Sequence, residues 1–208
     1  MNKLIGIYYI RTIIFHIMKV VLFNGSQRKE GNTAYSLNLI MDELEAEGVE
    51  TEYIWIGQKH LQGCTACGAC KKNKDKKCIL EGDEMNTYIQ KMLEADGIIL
   101  GSPTYFADVS TPMKALIERA GYVCRANGDL LKRKVGAAVV AVRRGGGAHV
   151  FETINYFFLI AQMIVVGSSY WNLGYGQAPG DVKDDEEGVE TFKTLGTNIA
   201  WTLKKLHS

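Results

Sequence analysis

From residue 19 to the C-terminus, short runs dominated by apolar residues alternate with longer segments of helical period. That alternation limits what the chain can fold into more than any other feature. Residues 19–23, 52–56, 97–100, 135–142 and 163–166 read as strands. Residues 33–47, 84–94, 111–120, 149–162 and 186–206 carry apolar positions at helical spacing. A strand that is apolar at nearly every position is covered on both faces, and regular strand–helix alternation makes the sheet parallel. The class expected is α/β, with a five-stranded parallel sheet between two helical layers.

The 208 residues suit one such domain and are enough to bury a full core. Five strands fit a flavodoxin-like, doubly wound order, in which ligands sit at the carboxyl ends of the strands near the point where the order reverses. The loops after strands one, three and four are the richest in glycine, serine and polar residues, so they are expected to meet at one crevice. A formal net charge of +1 gives no global pull toward nucleic acid. Residues 4–17 are mostly apolar but are interrupted by Arg11 and His16, and they are too short for a membrane span. No small-residue cleavage site follows them, so residues 1–17 read as an extension and residues 18–208 as the domain. A cytoplasmic protein without a membrane partner is expected.

The loop at residues 24–33 joins the first strand to the first helix. Backbone N–H groups at a helix start, backed by the helix dipole, favour an anion. Ser26, Asn32 and Thr33 add hydroxyl and amide donors, and Arg28 adds a charged fork. A Walker A loop needs a lysine where Asn32 stands and is one residue shorter. A dinucleotide fingerprint needs a glycine that is absent between Gly25 and Gly31. A monophosphate such as that of FMN fits better, and an ordinary capped βα turn is the competing reading.

Two more loops face the same expected crevice. Pro103, Thr104, Tyr105 and Phe106 end the third strand; the proline stiffens the turn, backbone groups can meet a polar ring edge, and an aromatic can stack. Arg143, Gly145 and Gly146 follow the fourth strand, where glycines let the backbone approach a flat ring. No triad of nucleophile, base and orienting acid is legible, which agrees with chemistry carried by a cofactor.

Four of the five cysteines lie in residues 61–80, as Cys64, Cys67, Cys70 and Cys78, a C-x2-C-x2-C-x7-C spacing. Such clustering points to a metal or redox role rather than to a secreted disulfide scaffold. A [4Fe–4S] cluster, zinc and free redox-active thiols all remain open. Lys71, Lys72, Lys74, Lys76 and Lys77 crowd the same loop and can offset negative charge or attract an acidic electron carrier. Cys124 stands apart and reads as a buried, unreactive thiol. The helix at 149–162 is apolar on more than one face, so a homodimer or higher homo-oligomer is expected.

FNGSQRKEGNT, GSPTYFADVSTPMKALIERAG and the later glycine-rich loop resemble the NAD(P)H-dependent FMN reductase and iron–sulfur flavoprotein group of the flavodoxin superfamily. The resemblance implies that Ser26, Arg28, Asn32 and Thr33 hold the FMN phosphate and that residues 103–106 lie along the isoalloxazine ring. It implies a compact cysteine loop as in iron–sulfur flavoproteins, NAD(P)H or a reduced carrier such as a ferredoxin as donor, and a cluster near the flavin of another subunit. The alternatives are a non-enzymatic electron carrier and a zinc-stapled module.

Overall fold

The structure, a computed structural model, describes residues 17–208. The expected extension at 1–17 therefore lies outside the described residues except for Ile17. Strands β1 (Lys19–Asn24), β2 (Glu50–Trp55), β3 (Gly97–Pro103), β4 (Val135–Val142) and β5 (Ile164–Val165) form a sheet in the order β2-β1-β3-β4-β5. Every ladder is parallel. Helices α1 (Asn32–Ala46) and α6 (Glu186–Leu206) cover one face. Helices α3 (Met85–Glu94), α4 (Thr111–Ala126) and α5 (Gly147–Ile160) cover the other.

Successive strand residues serve opposite cores, because side chains alternate across a strand. Val20 and Leu22 join Ile99, Val135, Ala137 and Val139 against Leu37, Ile40, Phe192, Leu195 and Ile199. Val21 and Phe23 join Ile98, Leu100, Ala138 and Val140 against Met92, Met113, Leu116, Ile154 and Phe158. Both faces being buried explains the nearly unbroken apolar strands, and β4 is buried along its whole length.

Three elements depart from the sequence reading. The fifth strand position is split: β5 pairs with the start of β4, and a sixth strand, β6 (Leu173–Tyr175), pairs with its end. Between them the chain leaves the sheet, and buried Asn172 bridges the gap. Its backbone oxygen accepts from Val140 N at 3.0 Å, and its side-chain amide donates to Ala138 O at 3.0 Å. Helix α4 continues past Ala120 to Ala126. A short helix, α2 (Ala69–Asn73), stands inside the cysteine loop. Among the described residues, no helix is long and apolar enough to cross a membrane.

Candidate functional site

Strands β1, β3 and β4 end together, and their exit loops form the crevice expected from the topology. The first loop is built by local hydrogen bonds. Asn24 Oδ1 accepts from Ser26 N at 2.8 Å, and Ser26 Oγ accepts from Arg28 N at 3.2 Å. Neighbouring elements clamp it: Trp55 Nε1 donates to Ser26 O at 2.7 Å, and Ser110 Oγ donates to Gly25 O at 2.7 Å. Residue 57 must be glycine here, since a Cβ would lie 1.6 Å from Ser26 O. Asn24 also donates to the Tyr53 hydroxyl at 2.7 Å. Burial raises the pKa of that hydroxyl despite the bond.

Ser26, Arg28, Asn32, Thr33, Pro103, Thr104, Tyr105 and Arg143 line one cavity of about 180 Å³. Ala141, Gly176 and Gln177 complete its walls. Two arginines and the start of a 15-residue helix are among its walls, and no carboxylate is among its lining residues. Thr33 Oγ1 and Thr104 Oγ1 are both buried without a hydrogen-bond partner. A buried hydroxyl left unpaired costs about 1–3 kcal/mol. Two of them in an acid-free, doubly cationic cleft at a helix start match a phosphate-bearing ligand. The residues present therefore fit FMN.

The structure separates some predicted residues from this cavity. Residues 105–108 close a two-residue hairpin through Tyr105 N to Asp108 O (2.9 Å) and Asp108 N to Tyr105 O (3.0 Å). Phe106 and Ala107 at its tip take φ of 49° and 64°. Such left-handed geometry is costly for residues with a side chain, and it turns Phe106 fully into solvent. Phe106 is therefore not among the residues lining the cavity. Asp108 anchors the turn by accepting from Val109 N and Thr153 Oγ1. Burial opposes its ionisation, but these bonds hold its carboxyl below the usual range. Gly145 and Gly146 lie outside the cavity. Gly146 (φ +86°) caps α5 and packs on the hairpin, where a Cβ would meet Ala107 at 2.9 Å.

Asn32 lines the cavity, yet both ends of its amide serve another loop. Nδ2 donates to Ala178 O at 2.9 Å, and Oδ1 accepts from Gly180 N at 2.8 Å. Arg28 Nη1 likewise donates to Gln177 O at 3.1 Å. The loop after β6 is thus a wall that the sequence reading missed. The run Gly174-Tyr-Gly-Gln-Ala-Pro-Gly180 is the turn signal that could have revealed it.

A second cavity, about 490 Å³, is lined by Cys64, Cys67, Cys70 and Cys78 together with Arg119, Tyr122 and Arg125. Left-handed Ala66 (φ 55°) and Gly68 (φ 73°) turn the chain between the cysteines. Ala66 N donates to Cys64 Sγ at 3.4 Å, and Arg119 Nε donates to Cys78 Sγ at 3.3 Å. Among the described residues, no three His, Cys, Asp or Glu side chains converge as a metal site. The four thiols share a cavity but not a coordination sphere as they stand. The donor set itself, four cysteines on small-residue turns with N–H groups aimed at sulfur, suits a thiolate-ligated centre. Arg119 is a residue whose part in this loop its sequence position does not reveal. Its pairing with Asp83 spans 36 residues of sequence. Cys124 is buried as expected, and burial pushes its thiol up to about 12.

The fold agrees with what the chain is similar to. RosB, solved with bound 8-demethyl-8-formylriboflavin-5'-phosphate, superposes with a TM-score of 0.71 at 18% identity, over 91% of this chain and 80% of that one. A flavodoxin from the domain Archaea superposes with a TM-score of 0.59 at 18% identity, over 90% and 99%. At that identity the likeness shows the flavodoxin-like fold. An iron-sulfur flavoprotein of Methanocaldococcus jannaschii is 42% identical over 90% of this chain and 98% of its own length. One from Methanosarcina thermophila is 32% identical over 91% and 93%. A family model described as NADPH-dependent FMN reductase matches residues 18–178, which span β1, the cleft loops, the cysteine loop and β6. With a flavodoxin-like sheet and an anion cleft at its carboxyl edge, the chain belongs to the NADPH-dependent FMN reductase family.

Proposed function

We propose that this protein is an FMN-dependent oxidoreductase that takes electrons from NAD(P)H or a reduced carrier and passes them to an acceptor. Cys64, Cys67, Cys70 and Cys78 hold a [4Fe–4S] cluster in this reading. The observation that carries it is the acid-free cleft in which Thr33 Oγ1 and Thr104 Oγ1 are buried and unpartnered beside Arg28 and Arg143. FMN, when bound, supplies the electron-transfer chemistry. The chain binds and orients it. Ser26, Thr33 and the start of α1 take the phosphate, and Arg28 offsets its charge. Pro103, Thr104 and Tyr105 form a wall for the ring, and Arg143 sets positive charge at the cleft.

The shared cavity of the four cysteines supports the cluster, as does the name iron-sulfur flavoprotein carried by relatives. The lysines at 71, 72, 74, 76 and 77 are exposed and favour an acidic carrier such as a ferredoxin. A homodimer completes the reading. Tyr156, Leu159 and Ile160 on α5 are exposed, and with Tyr122 of α4 they give an exposed apolar surface that a second copy can cover. Sedimentation as a dimer at micromolar concentration is expected; a monomer there contradicts this part.

The test is protein purified without oxygen, with flavin, iron, sulfide and zinc counted and NAD(P)H oxidation assayed. FMN equimolar with the chain, and about four iron and four sulfide per chain, are expected. Flavin without iron removes the cluster. Tight FMN without NAD(P)H oxidation leaves an electron carrier. Colourless protein holding zinc removes both.

A further inference from the structure

Arg119 is the bulkiest of the fully buried side chains among the described residues, and all of its polar contacts go to the two ends of the cysteine loop. Nη1 donates to Gln62 O at 3.2 Å and to Asp83 Oδ2, Nη2 to Leu80 O at 3.0 Å, and Nε to Cys78 Sγ at 3.3 Å. Its helix, α4, grips the loop elsewhere too. Glu118 Oε2 accepts from Cys64 N at 3.3 Å, Asn127 Nδ2 reaches Cys70 O at 3.5 Å, and Asn127 Oδ1 accepts from Lys76 N at 3.1 Å. Three of the four cysteines are thus tied to one helix or its C-cap.

The ion pair with Asp83 would by itself account for a buried arginine. The Nε–H bond to sulfur is additional. A neutral thiol is a weak acceptor, whereas a metal-bound sulfur carries negative charge and makes a strong bond to a charged donor. Hydrogen bonds to sulfur and nearby buried charge are also what set the reduction potential of an iron–sulfur centre.

We propose that Arg119 is a positioning residue for the cysteine-bound centre: it fixes Cys78 as the fourth ligand, and its buried charge raises the reduction potential of that centre. The proposal rests on the reading of the four cysteines as cluster ligands. A centre that gains negative charge on reduction is favoured in its reduced form by a positive charge held in low dielectric. Asp83 offsets part of that charge, so the two residues push the potential in opposite directions.

The test uses full-length protein purified without oxygen: wild type, Arg119→Gln and Asp83→Asn. FMN per chain and circular dichroism report folding. Iron retained against a chelator and the midpoint potential of the iron signal, titrated by electron paramagnetic resonance, report the centre. Arg119→Gln is expected to keep its FMN, to hold iron about tenfold less tightly, and to shift any remaining centre to lower potential. Asp83→Asn is expected to shift it higher. Shifts of opposite sign do not arise from loosened packing alone. Wild-type iron content with unshifted potentials, or shifts of the same sign, overturns the proposal. If Arg119→Gln does not fold, Asp83→Asn decides alone: a rise supports the proposal and no change overturns it. Wild-type protein without iron overturns the ligand reading, and the proposal falls with it.

Discussion

At the scale of single residues, the flavin cleft rests on groups whose partners are missing or spoken for. Thr33 and Thr104 have buried hydroxyls without partners, while Asn32 is committed to the 178–182 loop. Thr33→Val removes a donor to the phosphate and keeps the shape. It is expected to weaken FMN binding about tenfold, the value of one hydrogen bond to a charged group. Thermal stability of the flavin-free protein should hold or rise, because an unsatisfied hydroxyl is gone. Fluorescence titration and a melting curve on the same variant check both halves. Ser26, Arg28 and Thr33 were legible in sequence because donors in a βα turn have a local reason to be there. The bonds of Asn32 to the 178–182 loop were not, since those partners lie 146 to 150 residues away. The exposed position of Phe106 was not legible for a related reason. Its direction depends on two backbone bonds that close the 105–108 hairpin, and nothing in an aromatic next to a proline-containing turn announces left-handed geometry.

At the scale of elements, α4 joins the two candidate sites. Its N-terminal Ser110 stands at the N-cap, yet its hydroxyl makes no cap bond and donates instead to Gly25 O in the phosphate loop. The middle of the helix and its C-cap grip the cysteine loop through Glu118, Arg119 and Asn127. Ser110→Ala leaves a buried carbonyl unpaired. It is expected to cost about 1–3 kcal/mol in urea unfolding and to weaken FMN binding as the loop loosens. Unchanged binding with unchanged stability would count against this coupling. The order of strands and helices was legible because both faces of the sheet are buried, which writes itself as apolar runs. The split of the fifth strand was not, because Leu173–Tyr175 spans only three residues and its pairing with β4 is tertiary. Helix α2 was hidden by its five-residue length and by the glycine and lysines around it.

At the scale of the whole molecule, two cores flank one sheet, and two partly buried carboxylates tie elements together. Glu52 bridges Lys19 of β1 and Lys91 of α3, and Asp83 pairs with Arg119. Burial opposes ionisation of both, but their cationic partners prevail and lower both pKa values in the folded state. A carboxyl whose folded pKa lies below its unfolded value contributes stability in full above the unfolded value. It loses that contribution as pH falls through the folded one. The melting temperature is therefore expected to be flat above the ordinary values of 4.5 for Glu52 and 3.8 for Asp83, and to drop steadily below them. A curve that stays level through that acid range would show that these pairs do not link folding to protonation.

In the proposed function, the cleft at the ends of β1, β3 and β4 recognises FMN by its phosphate. Calorimetric titration of flavin-free protein with FMN and with riboflavin, which lacks only that phosphate, isolates this contribution. FMN is expected to bind at least about a hundredfold tighter, as loss of several charge-assisted hydrogen bonds requires. Equal affinities, or no flavin binding at all, would contradict it.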